Sequence, residues 1–206
     1  MKLPTTAHTS RPWRIHSIAH DFRLEDVWAL PTPGGPDDLV HLVDQFTNKH
    51  SDGGSTRAPH VSTPVSRLLF AIRWKLGKLL GWDRPEKGIG HRVPSLRERL
   101  PADLRDSPRG SDLPAVPFRS VYQTHDEWVA EMGNGTVHGL LHIGWVPDGA
   151  GGYHGQMAVL VKPNGPAGAA YMAFIKPFRY LGVYSAFIRG IGREWEAGAD
   201  RRKVAG

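Results

Sequence analysis

His138 and His142 are the side chains of this chain best suited to chemistry at neutral pH, because an imidazole titrates there and can take or give a proton. On a helix an H-x-x-x-H pair would chelate a metal ion. The residues around them, Thr136 to Val146, alternate as a strand does, and four strand residues separate the two backbones by roughly 13 Å, too far to share one ion. No metal site is therefore expected. The odd positions Val137, Leu141, Ile143 and Trp145 are more apolar than the even ones, so the period of two puts both histidines on the outer face of the sheet; a place for either ring in an internal cavity stays open as the alternative. The glycines 149, 151, 152 and 155 resemble a phosphate cradle, but a strand and not a helix follows them, so they read as a hairpin turn. Walker A, G-x-S-x-G and H-E-x-x-H sequences are absent.

A second group of residues points to binding. Tyr122, Trp128, Met132, Trp145 and Met157 fall on inward strand positions, and Tyr171, Phe174 and Phe178 on one stripe of a following helix. Such side chains form a core by default. Aromatic and methionine side chains between a sheet and a helix also line sites for apolar ligands, with Tyr122 and Tyr171 supplying the polar atoms that orient the guest.

The elements that must hold these residues are legible in part. Pro12 to Pro31 reads as one or two short extended pieces. Pro36 with Asp37 and Asp38 starts a short helix whose inner face is Leu39, Leu42, Val43 and Phe46. Residues 47–64 are polar and turn-rich, a mobile loop able to act as a lid. Thr63-Pro64 opens a second helix to Gly81, with Phe70 and Trp74 off its main stripe, and Ser95 to Asp106 adds a short helical piece interrupted by Pro101. Phe118–Thr124, Glu127–Met132, Thr136–Val146 and His154–Val161 are four strands joined by turns, hence an antiparallel meander. A helix bent at Pro177 then runs from about Gly168 to Glu196, and residues 197–206 form a frayed, basic tail.

Composition bounds the function classes. The 206 residues contain no cysteine, which excludes disulfides, thiolate metal sites and a cysteine nucleophile. The net charge of +6 equals the excess between Arg67 and Arg109, where eleven basic face five acidic residues, and no nucleic-acid-binding signature accompanies it, so it reads as solvated helix surface. No apolar run is long enough to span a bilayer and no signal sequence opens the chain, which leads to the expectation of a cytoplasmic protein.

Asp26-Val-Trp-Ala-Leu-Pro31, Val137-His-Gly-Leu-Leu-His-Ile-Gly-Trp145, Gly155-Gln-Met-Ala-Val-Leu-Val-Lys-Pro-Asn-Gly165 and Tyr171-Met-Ala-Phe-Ile-Lys-Pro-Phe-Arg179 resemble an uncharacterised bacterial domain-of-unknown-function family within the START-like, birch-pollen-allergen-like (SRPBCC) helix-grip superfamily. The resemblance spans Pro12 to Trp195. It implies an α+β fold in which a curved antiparallel sheet wraps a long C-terminal helix, with extra helices in the N-terminal half and a cavity between sheet and helix. Lipid carriers, hormone receptors and polyketide cyclases share that superfamily. The resemblance also implies association with a dehydrogenase-like partner, since members occur fused behind short-chain-dehydrogenase-like domains. The expected whole is one START-like domain over residues 1–206, with its core at about 12–196. It binds a small hydrophobic or amphipathic molecule without a cofactor. The alternative is a cofactor-independent cyclase, dehydratase or isomerase acting on a polyketide-like carbonyl compound through His138 or His142.

Overall fold

A computed structural model describes residues 1–47, 89–90, 93–113, 118–166, 168–169, 172 and 183–205. The architecture is α+β, built on a curved, open six-stranded antiparallel sheet. Its strands are β1 (Lys2–Leu3), β2 (Arg23–Ala29), β3 (Arg119–Gln123), β4 (Glu127–Gly133), β5 (Val137–Pro147) and β6 (Tyr153–Pro163), in the order β1-β2-β6-β5-β4-β3. The meander β3 to β6 follows the expected alternation. Its longest hairpin turns where Gly149 and Gly151 take positive φ, a conformation that favours glycine, and the Asp148 carboxylate accepts the Ala150 and Gly152 N–H groups at 2.7 and 2.9 Å. The glycine string is thus a turn.

Both faces of the sheet are covered. On one face lie α1 (Thr6–Thr9), α2 (Ile15–Ile18), a 3₁₀ turn (Leu96–Arg99) and the short helix Ala102–Arg105. Trp13, Ile15, Ile18, Phe22, Leu96, Leu100 and Leu104 pack there on Val27, Val129, Leu140, Val146, Ala158 and Leu160. On the other face lie α3 (Leu39–Thr47) and the C-terminal helix Val183–Ala205. Leu39, Leu42, Val43, Ile188, Ile191 and Trp195 pack there on Trp28, Trp128, Ile143, Trp145 and Met157. Strand alternation thus feeds two cores at once, even positions of β5 to the first face and odd positions to the second.

Several expectations change here. Pro12 to Pro31 contains a helical turn, which buries Ile15 and Ile18 against the sheet, and then β2. The Ser95–Asp106 piece divides at Pro101, as its sequence suggests. The C-terminal helix continues through Ala205, so residues 197–205 are helical and not a frayed tail; Asp200 and Arg201 are exposed. The expected loop 47–64 loses its first residue to the helix that ends at Thr47; residues 48–64, the expected helix over 63–81 and the expected bend at Pro177 lie outside the described residues.

Candidate functional site

The β4–β5 hairpin sets the site. Glu127 and Glu131 stand four apart on β4, His138 and His142 four apart on β5, and the antiparallel register pairs Glu127 with Gly144 and Glu131 with Leu140. Each carboxylate therefore lies diagonally beside one imidazole. His142 Nε2 is 3.0 Å from Glu127 Oε2, and His138 Nε2 is 2.9 Å from Glu131 Oε2. The side of the sheet expected for the histidines is the observed one, away from the C-terminal helix. They are nevertheless buried, His142 at 0% and His138 at 4% exposure, because the N-terminal segment covers what an alternation rule takes for the outer face.

The Glu127–His142 pair extends outward. His8 Nε2 lies 3.2 Å from His142 Nδ1, and His16 Nε2 lies 3.2 Å from His8 Nδ1. Glu127 also accepts the Arg14 backbone N–H at 2.8 Å and the Tyr122 hydroxyl at 3.2 Å. Burial, then the neighbouring His142 and His16 rings, bring His8 down to about 3, so it is neutral at pH 7. His16 is lowered too, by burial and by His142, against the pull of Glu127. Tyr122 is raised by burial beside the Glu127 carboxylate. The Trp13 ring stands edge-on to His142 at 5.1 Å, over Gly144, where a β-carbon would come within 2.6 Å of the indole.

The Glu131–His138 pair is closed. Ser95 Oγ donates to Glu131 Oε1 at 2.5 Å and the Leu96 N–H to Oε2 at 2.8 Å, while Phe22 meets the His138 ring edge-on at 4.9 Å. Burial pushes the Glu131 carboxyl up, but the three donors outweigh it and its pKa falls below the ordinary value. This pair reads as a structural lock that fixes the 3₁₀ turn to the sheet.

The expected binding residues divide between the faces. Trp128, Trp145 and Met157 are buried on the helix face, Trp128 with its indole N–H on Ser120 Oγ at 2.9 Å and Trp145 with its own on the Gly35 carbonyl at 2.8 Å. Met132 is half-buried. Tyr122 does not join them: a bulge between Ser120 and Tyr122 sets Tyr122 opposite Val129 and turns its ring to the histidine face. Tyr171, Phe174 and Phe178 lie outside the described residues. Glu127 and Glu131 were missed by sequence reading although their spacing mirrors that of the histidines; His8 and His16 carry no local signal.

Among the described residues no three His, Asp or Glu side chains are grouped to hold a metal ion, since the imidazoles form a line and do not converge on a point. No helix among them is long and apolar enough to cross a membrane. No curated protein and no solved structure matches the chain. Residues 18–186 match a family model described as a protein of unknown function, DUF2867, a span that includes both glutamate–histidine pairs, and the chain belongs to that family.

Proposed function

We propose that the protein binds a small hydrophobic or amphipathic molecule on the helix-covered face of the sheet, as a START-like domain would. One observation carries this reading: half-buried Phe46, Phe118, Leu141 and Phe187 border the buried Trp128, Ile143, Trp145 and Met157, so apolar surface remains accessible beside a rigid aromatic floor. Phe46 lies parallel to Trp128 at 6.3 Å, a stack that can admit or flank a flat guest. Native mass spectrometry of protein purified from its own host is expected to show a bound small molecule. Leu141→Asp is expected to lose it while keeping the far-ultraviolet circular dichroism of the parent. A protein that is empty from its host and fails to bind fatty acids or anilinonaphthalene sulfonate would overturn the reading.

A second reading, cofactor-independent acid–base catalysis on a carbonyl compound, is favoured by a different observation. The Glu127–His142–His8–His16 line joins a buried carboxylate to a half-exposed imidazole, and two further buried polar atoms on the same face, Trp13 Nε1 and Gln156 Oε1, have no hydrogen-bond partner among the described residues. The reaction would then be approached from the N-terminal face, because neither His138 nor His142 points toward the C-terminal helix.

A further inference from the structure

The hydrogen-bond polarity of the histidine line follows from its inner end. An ionised carboxylate only accepts, so His142 Nε2 carries a proton, and where that ring holds no second proton His142 Nδ1 accepts. His8 must then donate from Nε2 and accept at Nδ1, and His16 must donate from Nε2. Each link joins Nε2 of one ring to Nδ1 of the next. Only one nitrogen is left over, His16 Nδ1, which has no hydrogen-bond partner among the described residues and belongs to a half-buried side chain. Adding a proton to His8 or His142 would set N–H against N–H unless every ring outside it switches tautomer. Adding one to His16 Nδ1 leaves every bond in place.

We propose that Glu127, His142, His8 and His16 form a one-entry proton relay whose mouth, His16 Nδ1, acts as a general base and then acid on a small hydroxy- or carbonyl-bearing molecule. This rests on the acid–base reading above and assigns its site. The step balances without a co-reactant. His16 Nδ1 takes a proton from a substrate hydroxyl, or from a carbon beside a carbonyl, leaving an alkoxide or enolate. The Nε2 proton of His16 passes to His8 Nδ1, that of His8 to His142 Nδ1, and that of His142 to Glu127. The end state has a neutral carboxylic acid and three neutral rings in the opposite tautomer, with every hydrogen bond retained in reverse. Running the line backward returns a proton to a different substrate atom, which makes the chemistry an isomerisation or elimination. The depressed affinity of His8 for a second proton fits this concerted passage, since no imidazolium need rest in the middle. The other groups facing the inner end are the Tyr122 hydroxyl from β3 and the Arg14 backbone N–H, while the Arg14 guanidinium is turned to Asp103 at 2.8 Å. In this scheme His16 is the catalytic residue, and Glu127, His142 and His8 are positioning residues that set its basicity.

The test is ¹⁵N NMR of the histidine rings in the full chain, joined to base-catalysed ring opening of 5-nitrobenzisoxazole as a substrate-independent probe. Expected are Nε2–H tautomers for His8, His142 and His16 at neutral pH, with His8 keeping a single proton well below the ordinary imidazole range. Glu127→Gln should lower the His16 pKa further, because the Glu127 carboxylate is the group that pulls it upward. It should slow the probe by about tenfold, and His16→Ala should abolish the protein's contribution. Tyr122→Phe removes a donor from Glu127 and should move His16 the opposite way, which keeps the test decisive if Glu127→Gln does not fold. An Nδ1–H tautomer at either inner ring, or a His16 that responds to neither variant, overturns the relay. Correct tautomers with no turnover of any hydroxy-carbonyl metabolite would instead sink the acid–base reading and leave the relay standing.

Discussion

His8 shows how burial of one side chain becomes a property of the whole protein. Its pKa of about 3 in the fold lies below the 6.5 of a free imidazole, so the unfolded chain binds more protons between those values. Stability is therefore complete above pH 6.5 and falls as the pH drops below it, at a limiting slope of ~1.4 kcal/mol per pH unit. Urea unfolding at pH 6.5 and about pH 5 is expected to show a loss of about 2 kcal/mol in the parent and much less in His8→Gln. Glu131 does not blur this window, because its lowered pKa makes it lose its contribution only as the pH falls below 4.5. Glu131→Gln, measured at neutral pH, should cost about 3 kcal/mol, since an amide cannot accept from the His138 ring, the Ser95 hydroxyl and the Leu96 N–H together. At this scale the sequence was half legible. The histidine spacing on β5 announced two separate groups, and the equal glutamate spacing on β4 would have named their partners had the hairpin register been applied to it. His8 and His16 reach the site only through tertiary packing, which no local pattern records.

Among the elements, alternation found what alternation can find. The four strands of the meander and the short helix Leu39–Thr47 appear where their patterns place them, because each has one face against a core. Two features escaped for the same reason, the lack of a repeat. Helices of four residues complete barely one turn, so Thr6–Thr9 and Ile15–Ile18 have no period to show. The bulge before Tyr122 adds a single residue, yet it moves that ring from the helix face to the histidine face and gives Glu127 one of its donors. The close seating of the N-terminal segment on β5 is itself testable. A β-carbon on Gly144 would lie 2.6 Å from Trp13 Cζ2 and 3.2 Å from His142 Cε1, so neither the indole nor the imidazole can stay in place. Gly144→Ala should cost about 2–3 kcal/mol, and its tryptophan emission should shift to the red as Trp13 is displaced. An unchanged emission maximum and midpoint would show that the segment is not seated on β5 as described.

For the whole molecule, the coverage of both sheet faces matters most. A sheet wrapped on one helix needs one covered face; this chain also lays residues 6–22 and 95–105 across the other, burying the strand positions that a one-sided reading leaves to solvent. The same layer carries His8 and His16, which precede the span matched by the family model, whereas Glu127 and His142 lie within it. The inner half of the proposed relay thus lies within the matched span and the outer half before it. That layer also bears on stability. Trp13, Ile15, Ile18 and Phe22 are each at most 9% exposed, and burying such a side chain contributes about 1.5–3 kcal/mol. Their sum is comparable to the roughly 5–15 kcal/mol that hold a domain of ordinary stability together. Removal of residues 1–22 would also strip β1 from the edge of β2 and the Asp21 carboxylate from Arg99 and Lys162, which it joins at 2.6 and 2.7 Å. The truncated chain is therefore expected to lose cooperative thermal unfolding and to bind anilinonaphthalene sulfonate at the uncovered Val27, Val129, Leu140 and Leu160. If instead it unfolds cooperatively with little change in midpoint, the N-terminal layer is a dispensable cover and the sheet with its C-terminal helix is stable alone.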